Sequence, residues 1–347
     1  MTRSVFWSSR RQVKGRTMSR KVFLAAIPLL LLGWSGPVGA AISLIYPPPQ
    51  TRVNDAEHLV VKLNNPEITG VRITLNGLAS DLLNVGTPEY RKSFQDILIV
   101  KPVWDPGKNK LTIDGYAGDK QLETVSAEIY YIPKGSTQPA PPEVPAAVLH
   151  TPEQEKHCKR CHVMNPTPAQ MNESLEKGNP CYTCHKNMLN DTYVHGPTGT
   201  FSCAFCHSLQ GKPKYATPKR DAALCNECHV DKGTALKKWQ FRHGPVDAGM
   251  CEICHDPHGS PYPGQLRQPV NKLCLSCHES VATGIHVNRT VSGEGHPLGG
   301  KKDPNPAAKG RELSCVSCHN PHGGDVRYFF INNAEDRLQL CQMCHKK

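Results

Sequence analysis

The 347-residue sequence predicts two unlike halves: an N-terminal all-β sandwich, and a C-terminal region of short helices with little regular secondary structure that packs around bound groups. Three observations predict this. Short alternating apolar–polar runs fill residues 41–133, a stretch without cysteine. All 16 cysteines lie after residue 157, in one repeated motif. Hydrophobic residues make up only 38% of the chain and aromatics 6%, too little apolar surface for a protein-only core along the whole length.

Residues 1–40 read as a signal peptide. They carry Arg3, Arg10, Arg11, Lys14, Arg16, Arg20 and Lys21 and no acid, then the apolar run Val22–Leu32, then a small-residue exit at Gly39-Ala40-Ala41. A basic segment, a short apolar segment and a small-residue cleavage site form the export pattern, and the apolar run is too short for a comfortable membrane span. The mature chain is therefore expected to be exported, with no membrane span. No cysteine precedes Cys158, which argues against a lipid anchor. The formal charge of +11 falls to +4 without the leader, since 41 − 7 = 34 basic residues then face 30 acidic ones. Nucleic-acid binding loses its main support with that change.

Residues 41–133 read as an immunoglobulin-like β-sandwich. The runs Ile42–Tyr46, His58–Leu63, Val71–Leu75, Phe94–Val100, Lys110–Asp114 and Thr124–Tyr131 alternate in polarity, and turn signals such as Asn76-Gly77, Asp105-Pro-Gly107 and Gly118-Asp119 separate them. His58 and Trp104 read as packing or surface residues, and a spacer or docking role is the expectation for the domain. Residues 134–149, with Pro139, Pro141, Pro142 and Pro145, read as a semi-rigid linker.

Residues 150–347 hold eight copies of C-x-x-C-H, in four two-motif repeats. The cysteine pairs are Cys158 and Cys161, Cys181 and Cys184, Cys203 and Cys206, Cys225 and Cys228, Cys251 and Cys254, Cys274 and Cys277, Cys315 and Cys318, and Cys341 and Cys344. The histidines that close them are His162, His185, His207, His229, His255, His278, His319 and His345. This is the attachment signature of haem c. Residues at i, i+3 and i+4 share one face of a helical turn, so two thiols can form thioethers to one porphyrin edge while the histidine lies beneath the iron. Zinc ribbons and disulfides also use paired cysteines, but neither needs a histidine after every pair, and histidine is only 17 of 347 residues. Eight covalent haems, each with one iron, are expected.

Eight further histidines lie in the same region: His150, His157, His195, His243, His258, His286, His296 and His322. Eight spare histidines for eight irons predict bis-histidine, low-spin haems, with these as the candidate distal ligands. His258 and His322 follow their motif histidines by three residues and His157 directly precedes Cys158, so each should serve another haem. His150, His195 and His243 each stand eight residues before the first cysteine of a motif, a shared spacing that fixes no unique haem partner. About 25 residues per haem cannot bury each porphyrin separately, so the haems should pack on one another and supply the missing core.

The phrases Phe241-Arg-His-Gly-Pro-Val, Cys254-His-Asp-Pro-His-Gly-Ser260 and Cys318-His-Asn-Pro-His-Gly-Gly324 resemble those of the doubled CXXCH motif family, multihaem c-type cytochromes of bacteria that respire external acceptors. The resemblance covers roughly residues 150–347. It implies an exported electron-transfer protein, periplasmic, cell-surface or extracellular, whose partners are other redox proteins or an extracellular acceptor, with self-association into filaments as a further implication. Two motifs depart from the pattern, since Ser-Leu-Gln210 follows His207 and Val-Met-Asn165 follows His162, without the Pro-His pair. Respiratory electron transfer with no catalytic residues is the leading reading. A multihaem oxidoreductase acting on nitrite, hydroxylamine or a sulfur oxyanion is the alternative; it needs an open iron site, and all eight motifs end in histidine. With ferric bis-histidine haems at about −1 each, the holoprotein charge becomes about −4.

Overall fold

The computed structural model describes residues 40–54, 58–136, 141–288, 293 and 295–345, so the expected signal peptide lies outside the described residues except for Ala40. The chain divides into two compact units, Met1–Lys134 with Gln138–Leu149, and Gly135–Thr137 with His150–Lys347.

The first unit is built from two sheets. Strands β1 (Ile42–Tyr46), β3 (Leu59–Leu63) and β7 (Ile97–Val100) form an antiparallel sheet in the order β1-β3-β7. Strands β2 (Thr51–Val53), β4 (Gly70–Leu75), β5 (Leu78–Ala79), β8 (Gly107–Ala117) and β9 (Lys120–Tyr131) form the larger sheet in the order β2-β9-β8-β4-β5, and β6 (Leu83–Asn84) also pairs with β4. Alternation along the strands sends Leu59, Val61 and Leu63 of one sheet, and Val71, Ile73, Leu75, Leu111 and Ile113 of the other, into a single buried cluster that also takes in Trp104. The β4–β5 turn needs positive φ at both central positions, and Asn76 (φ 51°) and Gly77 (φ 84°) supply it. Asn109, fully buried, donates to the Asp105 and Gly107 carbonyls at 2.8 and 2.9 Å and accepts from the Asp105 amide at 2.9 Å, which fixes the turn into β8.

Two features were not visible as strand runs. Helix α1 (Pro88–Phe94) takes the front of the run Phe94–Val100, because Thr87 caps it by accepting from the Tyr90 amide and Pro88 occupies its first turn. The strand therefore starts only at Ile97. The short strand β2 runs parallel to β9, and its Arg52 also bonds the proline-rich segment: Arg52 Nη1 donates to the Val144 carbonyl at 2.6 Å, and the Ala147 amide donates to the Arg52 carbonyl at 2.8 Å.

The second unit has little regular structure. Its longest described helix is Val230–Lys238, and its described strands are two-residue pairs. Among the described residues it buries five apolar side chains, Met171, Phe201, Ala308, Leu313 and Ala334, against eighteen in the first unit. Side-chain burial of that extent cannot offset the backbone entropy of ordering so long a segment. No described helix is long and apolar enough to cross a membrane.

Candidate haem-ligand array

Each motif closes one helical turn. In all eight, the histidine amide donates to the carbonyl of the first cysteine four residues back, at 2.8 to 3.1 Å. Cys203–Phe205, Cys251–Ile253 and Cys315–Ser317 are 3₁₀ turns, while Ala222–Cys225, Val270–Leu275 and Arg337–Gln342 are short α-helices that run into their motifs. The first cysteine and the histidine thus share a face, as thioether attachment with ligation from below requires.

Seven motif histidines each face one of the spare histidines. His185 faces His150 with ring centres 6.2 Å apart, and His207 faces His258 at 5.9 Å. His229 faces His195, His255 faces His322 and His278 faces His243, each at 6.0 Å. His319 faces His286 at 6.1 Å, and His345 faces His296 at 6.2 Å. The separations stay between 5.9 and 6.2 Å although the interplanar angles run from 8° to 83°. Direct ring contact would not behave this way, because stacked and edge-on rings prefer different distances. Two imidazoles bound to opposite sides of one iron have centres about 6 Å apart, from about 2.0 Å for each metal–nitrogen bond plus about 1 Å from nitrogen to ring centre. The donor set therefore fits a haem between each pair. His157 and His162 are the remaining two of the sixteen, and both belong to the first motif's segment.

Two short antiparallel pairings hold the spare histidines. Tyr193-Val194 pairs with Gly259-Ser260, and Phe241-Arg242 pairs with Gly323-Gly324. The amide of His195 donates to the carbonyl of His258 at 3.0 Å, and that of His243 to the carbonyl of His322 at 3.2 Å. The glycine after each Pro-His is needed at this crossing. Gly323 has φ 139°, and a Cβ there would strike the Phe241 carbonyl oxygen.

Main-chain carbonyls orient many of the rings through Nδ1, leaving Nε2 for the metal. His207, His255 and His319 donate to the carbonyls of Tyr215, Gly264 and Tyr328 at 2.7, 2.7 and 2.6 Å. His195 donates to the Pro257 carbonyl and His296 to that of Pro297, both at 2.9 Å. Burial holds His150, His243, His286 and His322 below the usual imidazole range, which favours the neutral form that binds metal.

Consecutive motifs touch through their cysteines. Cys181 lies beside Cys203, Cys225 beside Cys251, and Cys274 beside Cys315, across the junctions between repeats. Within repeats, burial raises the thiols of Cys184, Cys206, Cys254 and Cys318, and the charges of Cys158, Cys228, Cys277 and Cys344 add to the effect. First cysteines lie near one another between repeats and, in the last three repeats, second cysteines lie near one another within them. Every motif in the series thereby has its sequence neighbours as spatial neighbours.

Cys161 departs from what the repeat predicts for the second cysteine of a motif. It is exposed, as are Cys184, Cys228 and Cys277, but those three each interact with a cysteine of the neighbouring motif. In the first repeat it is Cys158, and not Cys161, whose charge acts on Cys184. Cys161 lies beyond the end of the helix Pro152–Cys158, in an exposed turn with His162 and Val163. The first motif keeps its closing bond, from the His162 amide to the Cys158 carbonyl at 3.0 Å.

Sequence reasoning identified both histidine sets but not their partners, and it overlooked Glu155, Lys214 and Tyr215. These three lie around His150. Their identities carry no motif, and the unbroken spacing from His150 to Cys158 was the only pointer to the place.

The doubled CXXCH motif family matches residues 243–283 and 305–347. The multiheme cytochrome MtrA of Shewanella baltica (strain OS185) is 28% identical over 206 residues, covering 51% of this chain and 55% of that protein, so the chain spans about half the length of this curated relative. Among solved structures, fibronectin(III)-like modules of Clostridium thermocellum CbhA match at 16% identity over 26% of this chain and 96% of theirs, with a TM-score of 0.19. The endo-beta-1,4-mannanase of Thermotoga petrophila matches at 11% identity over 27% of this chain and 20% of its own, with a TM-score of 0.21. Scores this low carry no argument about fold.

Proposed function

We propose that the C-terminal region, which matches the doubled CXXCH motif family over residues 243–283 and 305–347, is a multihaem c-type cytochrome that binds eight covalent haems and passes electrons along them in sequence order. The observation that carries this is the set of seven motif–spare histidine pairs at 5.9–6.2 Å, the spacing of two axial ligands on one iron. When bound, each haem supplies one-electron cycling of its iron between ferric and ferrous states. The chain's own residues do the rest. The sixteen cysteines of the eight motifs would anchor the porphyrins. The motif histidines and the spare histidines that face them would hold the irons, and the adjacency of consecutive motifs would set the order. The pairing is strongly non-local: the third and fifth motifs face histidines of later repeats, while the even motifs and the seventh face histidines upstream of them. His207 and His255 take His258 and His322, which follow the motifs two places on, while His185, His229 and His278 take the histidines eight residues before the preceding motif.

We read the two N-terminal sheets, which share one buried core, as an immunoglobulin-like sandwich that serves as a spacer or docking module. Residues 1–40 direct export, and the partners are redox proteins or an acceptor in the periplasm or outside the cell. Controlled-potential reduction of the purified holoprotein tests the carrier reading. It is expected to be reversible, to take up eight electrons per chain, and to proceed without turnover of nitrite or hydroxylamine. Steady consumption of either substrate by the pure protein would replace the carrier reading with the enzymatic one.

A further inference from the structure

The repeat has a rule and the first repeat breaks it. In the second repeat, the histidine eight residues before the motif pair, His195, bonds the carbonyl of Pro257, two residues after a later motif histidine, at 2.9 Å, and in the third His243 lies beside the equivalent Pro321. For His150 the corresponding residue is Leu209, in the Ser-Leu-Gln sequence that lacks the Pro-His pair. His150 instead turns its Nδ1 to the carboxylate of Glu155, 3.0 Å away, while its ring faces His185. Glu155 is only 8% exposed and is held by the helix Pro152–Cys158, which Thr151 caps.

We propose that Glu155 is a positioning residue for the haem anchored by Cys181 and Cys184, accepting the Nδ1–H of His150 and lowering that haem's reduction potential relative to a carbonyl-held counterpart. The proposal rests on reading His150 and His185 as an axial pair. A carboxylate acceptor draws the Nδ1 proton away more strongly than a neutral carbonyl does. The imidazole becomes a better electron donor through Nε2, and the ferric state is favoured over the ferrous.

Lys214 moderates the effect. Its Nζ lies 2.7 Å from both Glu155 oxygens and also donates to the Met164 carbonyl at 2.5 Å and Asn165 Oδ1 at 2.8 Å, so it shares the carboxylate with His150. The next residue, Tyr215, packs edge-on against the His150 ring at 4.6 Å, and its carbonyl accepts from His207 of the following motif. One dipeptide thus sets the surroundings of a spare histidine and of the neighbouring motif histidine.

Two opposed substitutions in the holoprotein test this by spectroelectrochemical titration with electron paramagnetic resonance of the ferric form. Glu155→Gln, close to isosteric, is expected to move the ferric–ferrous equilibrium of one haem about tenfold towards ferrous, a rise of about 59 mV for one electron, and to change the g values of one low-spin signal. Lys214→Met releases the carboxylate to His150 and is expected to move the same haem the other way. Eight haems with unchanged potentials and g values in Glu155→Gln would overturn the proposal, as would shifts of one sign in both variants. His150→Ala separates the proposal from the reading beneath it. One new high-spin haem there, with Glu155→Gln silent, removes only the role of Glu155; eight low-spin haems in His150→Ala remove the axial pair itself.

Discussion

Without haem attachment, the C-terminal unit is expected to lose its tertiary structure while the N-terminal unit keeps its own. Producing the chain in cells that lack cytochrome c maturation, or with the motif cysteines replaced by serine, makes this comparison. The reason is the distribution of buried apolar side chains: eighteen in the N-terminal unit against five in the described part of the C-terminal one. The first unit closes its core between two sheets with Leu59, Val61, Ile68, Val71 and Ile113, none of them accessible to solvent. The second relies on side chains such as Met171 and Phe201 and, under the proposed haem attachment, draws its remaining apolar contacts from porphyrin faces. Hydrogen exchange should leave the amides of β3, β4, β8 and β9 protected and those beyond His150 exchanging freely. Limited proteolysis should yield a resistant fragment that ends near residue 150. Equal protection in both regions of the haem-free chain would contradict a haem-built core.

The second large effect is expected from His243→Ala. His243 faces His278 at 6.0 Å, and its backbone amide, not its ring, bonds the His322 carbonyl. Removing the ring therefore leaves the pairing of Phe241-Arg242 with Gly323-Gly324 in place and takes one ligand from one iron. The expected result is one high-spin haem that binds carbon monoxide on reduction, with the other seven unchanged. His58→Ala, in the N-terminal unit, should leave the spectrum as it was and serves as the control. An unaltered spectrum in His243→Ala would place the ligand of His278's iron elsewhere.

Local features of the molecule were legible in the sequence because their causes are local. Each Cys-x-x-Cys-His closes a turn by a bond between residues four apart. Ile42–Tyr46 and the alternating run now seen as Leu59–Leu63 declare themselves by period. The Asn76-Gly77 turn declares itself by the positive φ that both residues tolerate. Where causes act across the chain, the sequence was mute. His207 finds His258 fifty-one residues on, and nothing near either residue says so; the link is made by a two-residue strand at Tyr193-Val194 against Gly259-Ser260, too short to leave a pattern. Glu155 belongs to no motif, and folding alone brings it, in the first turn of the helix Pro152–Cys158, to His150 and Lys214. Helix α1 was hidden because its last residue, Phe94, opens an apolar run that continues into β7.

The central claim is that spare and motif histidines meet in pairs on haem irons. Quantifying haem and iron in the purified oxidised protein, with electron paramagnetic resonance of the same sample, tests it most directly. Eight haems and eight irons per chain, with low-spin bis-histidine signals dominant, is the predicted result. Fewer than eight haems, zinc bound to the cysteines, or mainly high-spin iron would contradict it.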